Sequence, residues 1–170
     1  MISLVFIRHG ATNGNLEKRY IGRTDEPLCN IGIEQAEKLK KHNFPKEHIF
    51  VSPMKRARQT AELVFPEIEY AIVEDFRETN FGVFEGKSAS ELLENEEYKM
   101  WVESMCMSPI PGGESVTEFK ERCISAFRKI IESLPDNAEA SFVVHGGVIM
   151  AILESYAETN GNFYDYHIKN

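Results

Sequence analysis

Three short apolar runs, at 2–7, 49–51 and 141–144, constrain this chain most: each stops abruptly, and each is followed by a stretch of helical periodicity. Continuous runs of β-prone residues read as strands covered on both faces, the usual state of strands in a parallel sheet. Strands alternating with amphipathic helices predict an α/β fold: a three-layer sandwich with a mostly parallel central sheet and helices on both faces. Such sheets bind ligands in the crevice beyond the carboxyl ends of their strands. The residues that follow each run are therefore the first candidates for function.

The first run leads into a loop, 11–29, longer than an ordinary strand-to-helix connection, and long loops at strand ends are usually functional. Asn30 then fits an N-cap for a helix over 31–41, with Ile33, Ala36 and Leu39 on one face. After the second run, Ser52 fits an N-cap and Pro53 the first helical position, and Met54, Ala57, Ala61, Val64 and Phe65 mark an apolar side. Arg56 falls in the first turn of that helix, among unpaired backbone N–H groups that favour an anion. Residues 68–73 read as another strand, 88–102 as a helix, and the Pro/Gly-rich 107–114 as a break. Ser115 and Glu118 form a capping box for a long helix whose core side carries Phe119, Cys123, Ala126, Ile130 and Leu134, stopped by Pro135. A helix over 148–156 follows the third run, and 163–168 alternates in polarity like a half-exposed edge strand.

The 170 residues suit one domain, 1–170, and a net charge of -8 argues against a nucleic-acid groove or an anionic membrane surface. Any anionic ligand must then be held by a local cluster of cations. The 3 cysteines are scattered and odd in number, which argues against a disulfide framework and for a reducing, cytoplasmic compartment. No run approaches the ~20 apolar residues of a membrane span, and residues 1–7 are too few for a signal-peptide core. No Cys-x-x-Cys or His-x-x-x-His spacing suggests a metal site. The expected partner is a small molecule, with no nucleic acid or membrane; the oligomeric state stays open, a homodimer included.

Arg8 and His9 follow the first run, Arg56 the second and His145 the third, so a parallel sheet would focus all four on one crevice. Two guanidinium forks suit the oxygens of a phosphoryl group. A neutral imidazole between them can attack phosphorus and carry the group as a phosphoramidate. The arginines should lower the pKa of His9 and stabilise charge on the equatorial oxygens in the transition state. Gly10, without a Cβ, lets the backbone approach the ring or the phosphate. The leaving alkoxide needs a proton and water must lose one, tasks that one carboxylic acid can perform in turn. Glu78, between a strand end and a glycine-containing loop, is the candidate, with Asp75 and Glu85 as open rivals.

The blocks IRHGATNGN, YIGRTDEPLCNIGIEQA, SPMKRARQTA, RETNFGVFEGK, PGGES and VVHGGV, in that order, resemble those of the histidine phosphatase superfamily, the phosphoglycerate mutase-like proteins, over nearly the whole chain. The resemblance implies that His9 is the phosphorylated nucleophile, that Arg8, Arg56 and His145 hold phosphoryl oxygens, and that Glu78 is the proton donor. It also implies a phosphate-side contact at Asn15 and a substrate-facing loop at Ile21 and Gly22; Gly146 is counted with the binding residues. No metal and no dissociable cofactor are implied. Within the superfamily the chain looks most like the small phosphatases, notably those acting on alpha-ribazole 5'-phosphate in cobalamin synthesis. Only 67 positions separate Glu78 from His145, little room for the segments that cover the site in the mutases. The alternatives are phosphoglycerate mutase-type transfer and a phosphate-binding protein without turnover. One departure is Ala11, where many members carry Glu.

Overall fold

The computed structural model describes residues 1–157, 161–166 and 168. Their elements are β1 (Ser3–Arg8), α1 (Asn13–Leu16), α2 (Asn30–Leu39), β2 (His48–Val51), α3 (Lys55–Val64), β3 (Ala71–Ile72), α4 (Glu96–Glu103), α5 (Val116–Ser133), β4 (Glu139–Val144) and α6 (Gly146–Tyr156). Short 3-10 turns occupy Glu74–Phe76, Gly82–Phe84 and Phe163–Tyr166. The strands form one sheet in the order β1-β4-β2-β3, and its described pairings are all parallel.

The last described strand is thus inserted between the first two, which explains why every residue of it after Glu139 is buried. Alternate residues of β4 serve opposite layers. Ala140, Phe142 and Val144 pack with Phe119, Cys123 and Phe127 of α5 and Val148, Ile149 and Ile152 of α6. Val143 faces the other way, into a cluster with Ile7, Ile49 and Val51 of the strands and Ala36, Ala57, Ala61 and Val64 of α2 and α3. Phe142 sits between Phe6 and Phe50, each 5.1 Å away between ring centres. Full burial of one such side chain contributes about 1.5–3 kcal/mol. A third cluster stands apart from the sheet: Phe84, Leu92, Tyr98, Trp101 and Ile110, with Tyr20 and Phe81 against it.

The capping box of α5 forms as expected, Glu118 N–H donating to Ser115 Oγ (3.2 Å) and Ser115 N–H to Glu118 Oε2 (2.8 Å). Other elements differ from the sequence reading. Asn30 is the first residue of α2 rather than its cap, which is Cys29. α3 begins at Lys55 with Met54 as cap, so Ser52 and Pro53 precede the helix, and the closest contact of the Ser52 hydroxyl is with His145. The strand over 68–73 shrinks to Ala71–Ile72, which is exposed and, among the described residues, pairs with β2 at the edge of the sheet. The helix over 88–102 gives way to α4 alone: Ser88 makes a local turn with Glu91, and Asn95 caps a new start by accepting from Tyr98 N–H (2.8 Å). The edge strand over 163–168 is absent from its described part. Asp165 and Asn162 exchange hydrogen bonds across the 3-10 turn at Phe163–Tyr166, and Phe163 is buried 6.3 Å from the Phe119 ring. Ile168 is not in a strand, and residue 167 lies outside the described residues.

Candidate active site

Three strands end level. Arg8 pairs with Val144 and Val51 with Val143, and the ladder runs one step further as His9 N–H donates to Val144 O and Ser52 N–H to Val143 O, both at 3.0 Å. His9, Ser52 and His145 therefore emerge side by side, and the two imidazoles lie 5.0 Å apart, edge to face. His9 is 4% exposed, Arg56 1% and His145 0%, so the structure brings these three together as a buried group.

The His9 Nδ1 atom lies 2.7 Å from the Gly10 carbonyl, which can only accept. Nδ1 therefore carries the ring proton and Nε2 the lone pair, toward which Arg56 Nε points at 3.3 Å. The Gly10 backbone is itself fixed, its N–H donating to Thr60 Oγ1 (3.0 Å) while the Thr60 hydroxyl donates to the Arg56 carbonyl (2.7 Å). A Cβ on Gly10 would overlap the Gly32 carbonyl of α2. What glycine permits here is close packing of a helix on the strand end, not the ligand approach expected from sequence. The His9 pKa is pushed down to about 3. Burial is the main cause and Arg56 the next, so the arginine effect emphasised by the sequence is secondary.

His145 Nε2 lies 2.7 Å from Ser52 Oγ, and its Nδ1 is buried without a partner among the described residues. Ser52 Oγ also accepts from Met54 N–H (3.4 Å). The hydroxyl oxygen has two lone pairs and can accept from Met54 N–H in either tautomer of His145, so Ser52 holds the ring by its Nε2 edge. Burial, then Arg56, lowers the pKa of His145 well below its usual value, so the ring is uncharged.

Arg56 departs from the free fork that the sequence suggests. Its Nη1 donates to Thr24 O (2.9 Å) and its Nη2 to Gly22 O (2.9 Å) and Ile21 O (3.5 Å). Ile21 and Gly22 thus turn their carbonyls to Arg56. Glu85, one of the rival acids, clamps the same loop by accepting from Gly22 and Thr24 N–H at 2.7 and 2.8 Å. Arg8 donates through Nη1 to the Ile168 carbonyl, and its Nε is buried and unpartnered among the described residues. Gly146 lies alongside it, a Cβ there standing 3.5 Å from Arg8 Cζ. Burial lowers the pKa of both guanidinium groups, which nonetheless stay charged.

Glu78 meets the site through the start of α6, its Oε2 accepting from Gly147 N–H (3.1 Å) and its Oε1 from Thr79 N–H (2.9 Å). Asp75 sits instead against α5, its carbonyl accepting from Arg122 Nη1 (2.6 Å). Asn15 closes the capping box of α1, Oδ1 accepting from Thr12 N–H (3.1 Å). Ala11 is buried, its N–H donating to Gln35 (2.8 Å). Sequence reasoning missed Ser52, Thr60 and the clamp at Glu85. For Thr60 a signal existed, four residues after Arg56 on the same helix face; Ser52 was legible only as a cap. Among the described residues no cluster of three or more His, Cys, Asp or Glu could hold a metal ion. No described helix is long and apolar enough to cross a membrane.

Residues 4–170 match the family model of the histidine phosphatase superfamily (branch 1). A protein of Yersinia pestis (strain Pestoides F) named "Probable phosphoglycerate mutase GpmB" is 33% identical over 161 residues, 91% of this chain and 74% of that one. The crystal structure of the alpha-ribazole phosphatase from Shigella flexneri superposes with a TM-score of 0.87 at 26% identity, covering 98% of this chain and 86% of that one. That of TTHB049 from Thermus thermophilus gives a TM-score of 0.72 at 36% identity, over 89% and 82% of the two chains.

Proposed function

Because this chain belongs to the histidine phosphatase superfamily, we propose that it is a phosphomonoesterase working through a phosphohistidine on His9. The observation that carries the reading is the His9 ring itself: buried, uncharged, and held by the Gly10 carbonyl in the tautomer that leaves Nε2 as nucleophile. His9 Nε2 attacks phosphorus, the P–N bond forms and the ester P–O bond breaks. Glu78 gives its proton to the departing alkoxide, then takes one from water, whose oxygen attacks phosphorus as the P–N bond breaks and phosphate leaves. Arg8, Arg56 and His145 stabilise the charge on the phosphoryl oxygens. Gly146 and the loop at Ile21 and Gly22 border the substrate, and Asn15, which closes the capping box begun by Thr12, is a phosphate-side contact.

The substrate is a small phosphate ester. Alpha-ribazole 5'-phosphate is the specific candidate, supported by the likeness to the Shigella flexneri phosphatase. Phosphoryl transfer of the phosphoglycerate mutase type is the second reading, supported by the relative named for that activity. Quenched reactions with 32P-labelled aryl phosphate in the presence of a chelator test the proposal. Turnover, with acid-labile label on the protein that disappears in His9→Ala, is expected. Turnover without any adduct would overturn the mechanism, and a requirement for a bisphosphate activator would favour the mutase.

A further inference from the structure

Between the third aromatic cluster and the α5–α6 layer lies a cavity of about 280 Å3, walled by Tyr20, Phe81 and Trp101 on one side and Phe119 and Phe163 on the other. Glu78 and Gly147, joined by the 3.1 Å hydrogen bond, form part of its lining, so the cavity opens beside the proposed proton donor. For scale, a dry cavity of about 150 Å3 takes up benzene. The volume therefore admits a ring with a substituent, whereas a two-carbon alcohol would leave most of the apolar wall unfilled.

Its charged lining is acidic. Besides Glu78, the described wall carries Glu114 and no Lys or Arg. Arg122 lies behind this wall, paired with Glu114 through Nε (2.9 Å) and Nη2 (2.7 Å) and stacked 4.8 Å from the Phe119 ring. Arg23 is directed at the same carboxylate, 3.9 Å away. A carboxylate entering the cavity would lose its hydration, meet Glu114 and find both cations engaged.

We propose that this cavity is the leaving-group subsite and selects phosphate esters of uncharged, flat aromatic alcohols while rejecting esters of hydroxy acids. The inference rests on the phosphatase reading and deepens it: apolar burial supplies the preference for rings, and the lost hydration of a carboxylate that finds no free cation in the described wall supplies the discrimination against anions. It also separates this chain by chemistry from an enzyme of phosphorylated sugar acids.

Three esters of alcohols of similar acidity test it: benzyl, ethyl and 4-carboxybenzyl phosphate. The kcat/KM for benzyl phosphate should exceed each of the other two by about tenfold or more. Val116 is half-buried at the first turn of α5 and lines the cavity. Val116→Lys should raise the ratio of 4-carboxybenzyl to benzyl turnover by about tenfold. The chain has a single tryptophan, Trp101, in the cavity wall, so its emission reports occupancy without any turnover. In His9→Ala, benzyl phosphate should shift that emission saturably and ethyl phosphate should not. Equal kcat/KM values for the three esters, or an indifferent Trp101, would overturn the subsite and leave the phosphatase standing. If no ester is hydrolysed, the phosphatase reading fails, and the Trp101 titration still decides the cavity.

Discussion

Acidification should destabilise this protein with a slope to which position 9 contributes a calculable share. In the unfolded chain His9 titrates near 6.5; in the fold it is held at about 3, mainly by burial. Between those values the unfolded state binds a proton that the folded state does not. The stability tied to this difference is therefore intact above pH 6.5 and is lost as pH falls toward 3. Within that window each pH unit costs about 1.4 kcal/mol, which makes the loss from His9 about 2 kcal/mol at pH 5. His145, also held well below its usual value, adds a loss of the same sign. Urea unfolding at pH 7, 6 and 5 measures this directly. His9→Asn should lose about 2 kcal/mol less than the unmodified chain between pH 7 and 5, whatever its stability at pH 7. Parallel curves would refute the claim that position 9 is a desolvated, neutral imidazole.

Thr60→Val preserves shape but strands the buried Gly10 N–H, so it should cost about 1–3 kcal/mol in urea unfolding, whereas Thr60→Ser, which keeps the acceptor, should cost less. A smaller cost for Val than for Ser would mean that the Thr60 hydroxyl does not hold Gly10. Ser52→Ala should lower kcat about 10- to 100-fold and move the 15N shifts of the His145 ring; unchanged shifts would remove Ser52 from the site. Gly147→Ala places a Cβ over Glu78 Oε1 and 2.9 Å from the Phe119 ring. It should slow alkyl esters more than aryl esters, since a poor leaving group depends more on the acid. Glu78→Gln should show the same asymmetry, and equal slowing of both ester classes would count against Glu78 as the proton donor.

The long amphipathic helix and the strands β1, β2 and β4 were legible because apolar periodicity and a capping box are local signals. The tail at Phe163–Tyr166 and the stretch after Ser88 were not, because alternation and helix propensity there yield to side-chain hydrogen bonds that depend on the final fold. The site divides in the same way. Arg8, His9, Arg56 and His145 were visible as strand-end residues, yet nothing local separated Glu78 from Glu85. Register and helix placement make that distinction: one carboxylate accepts from Gly147 at the start of α6, and the other accepts from the Gly22 and Thr24 amides.

Sequence alone thus determined which residues can carry the chemistry, since reactivity belongs to the side chain and strand-end position follows from hydrophobic pattern. Only the tertiary structure decided their states: which nitrogen of His9 bears the proton, that burial more than the arginines keeps it neutral, and that the fork of Arg56 grips its own loop. Those properties arise from desolvation and from hydrogen bonds between residues far apart in the chain, and neither exists until the layers have packed.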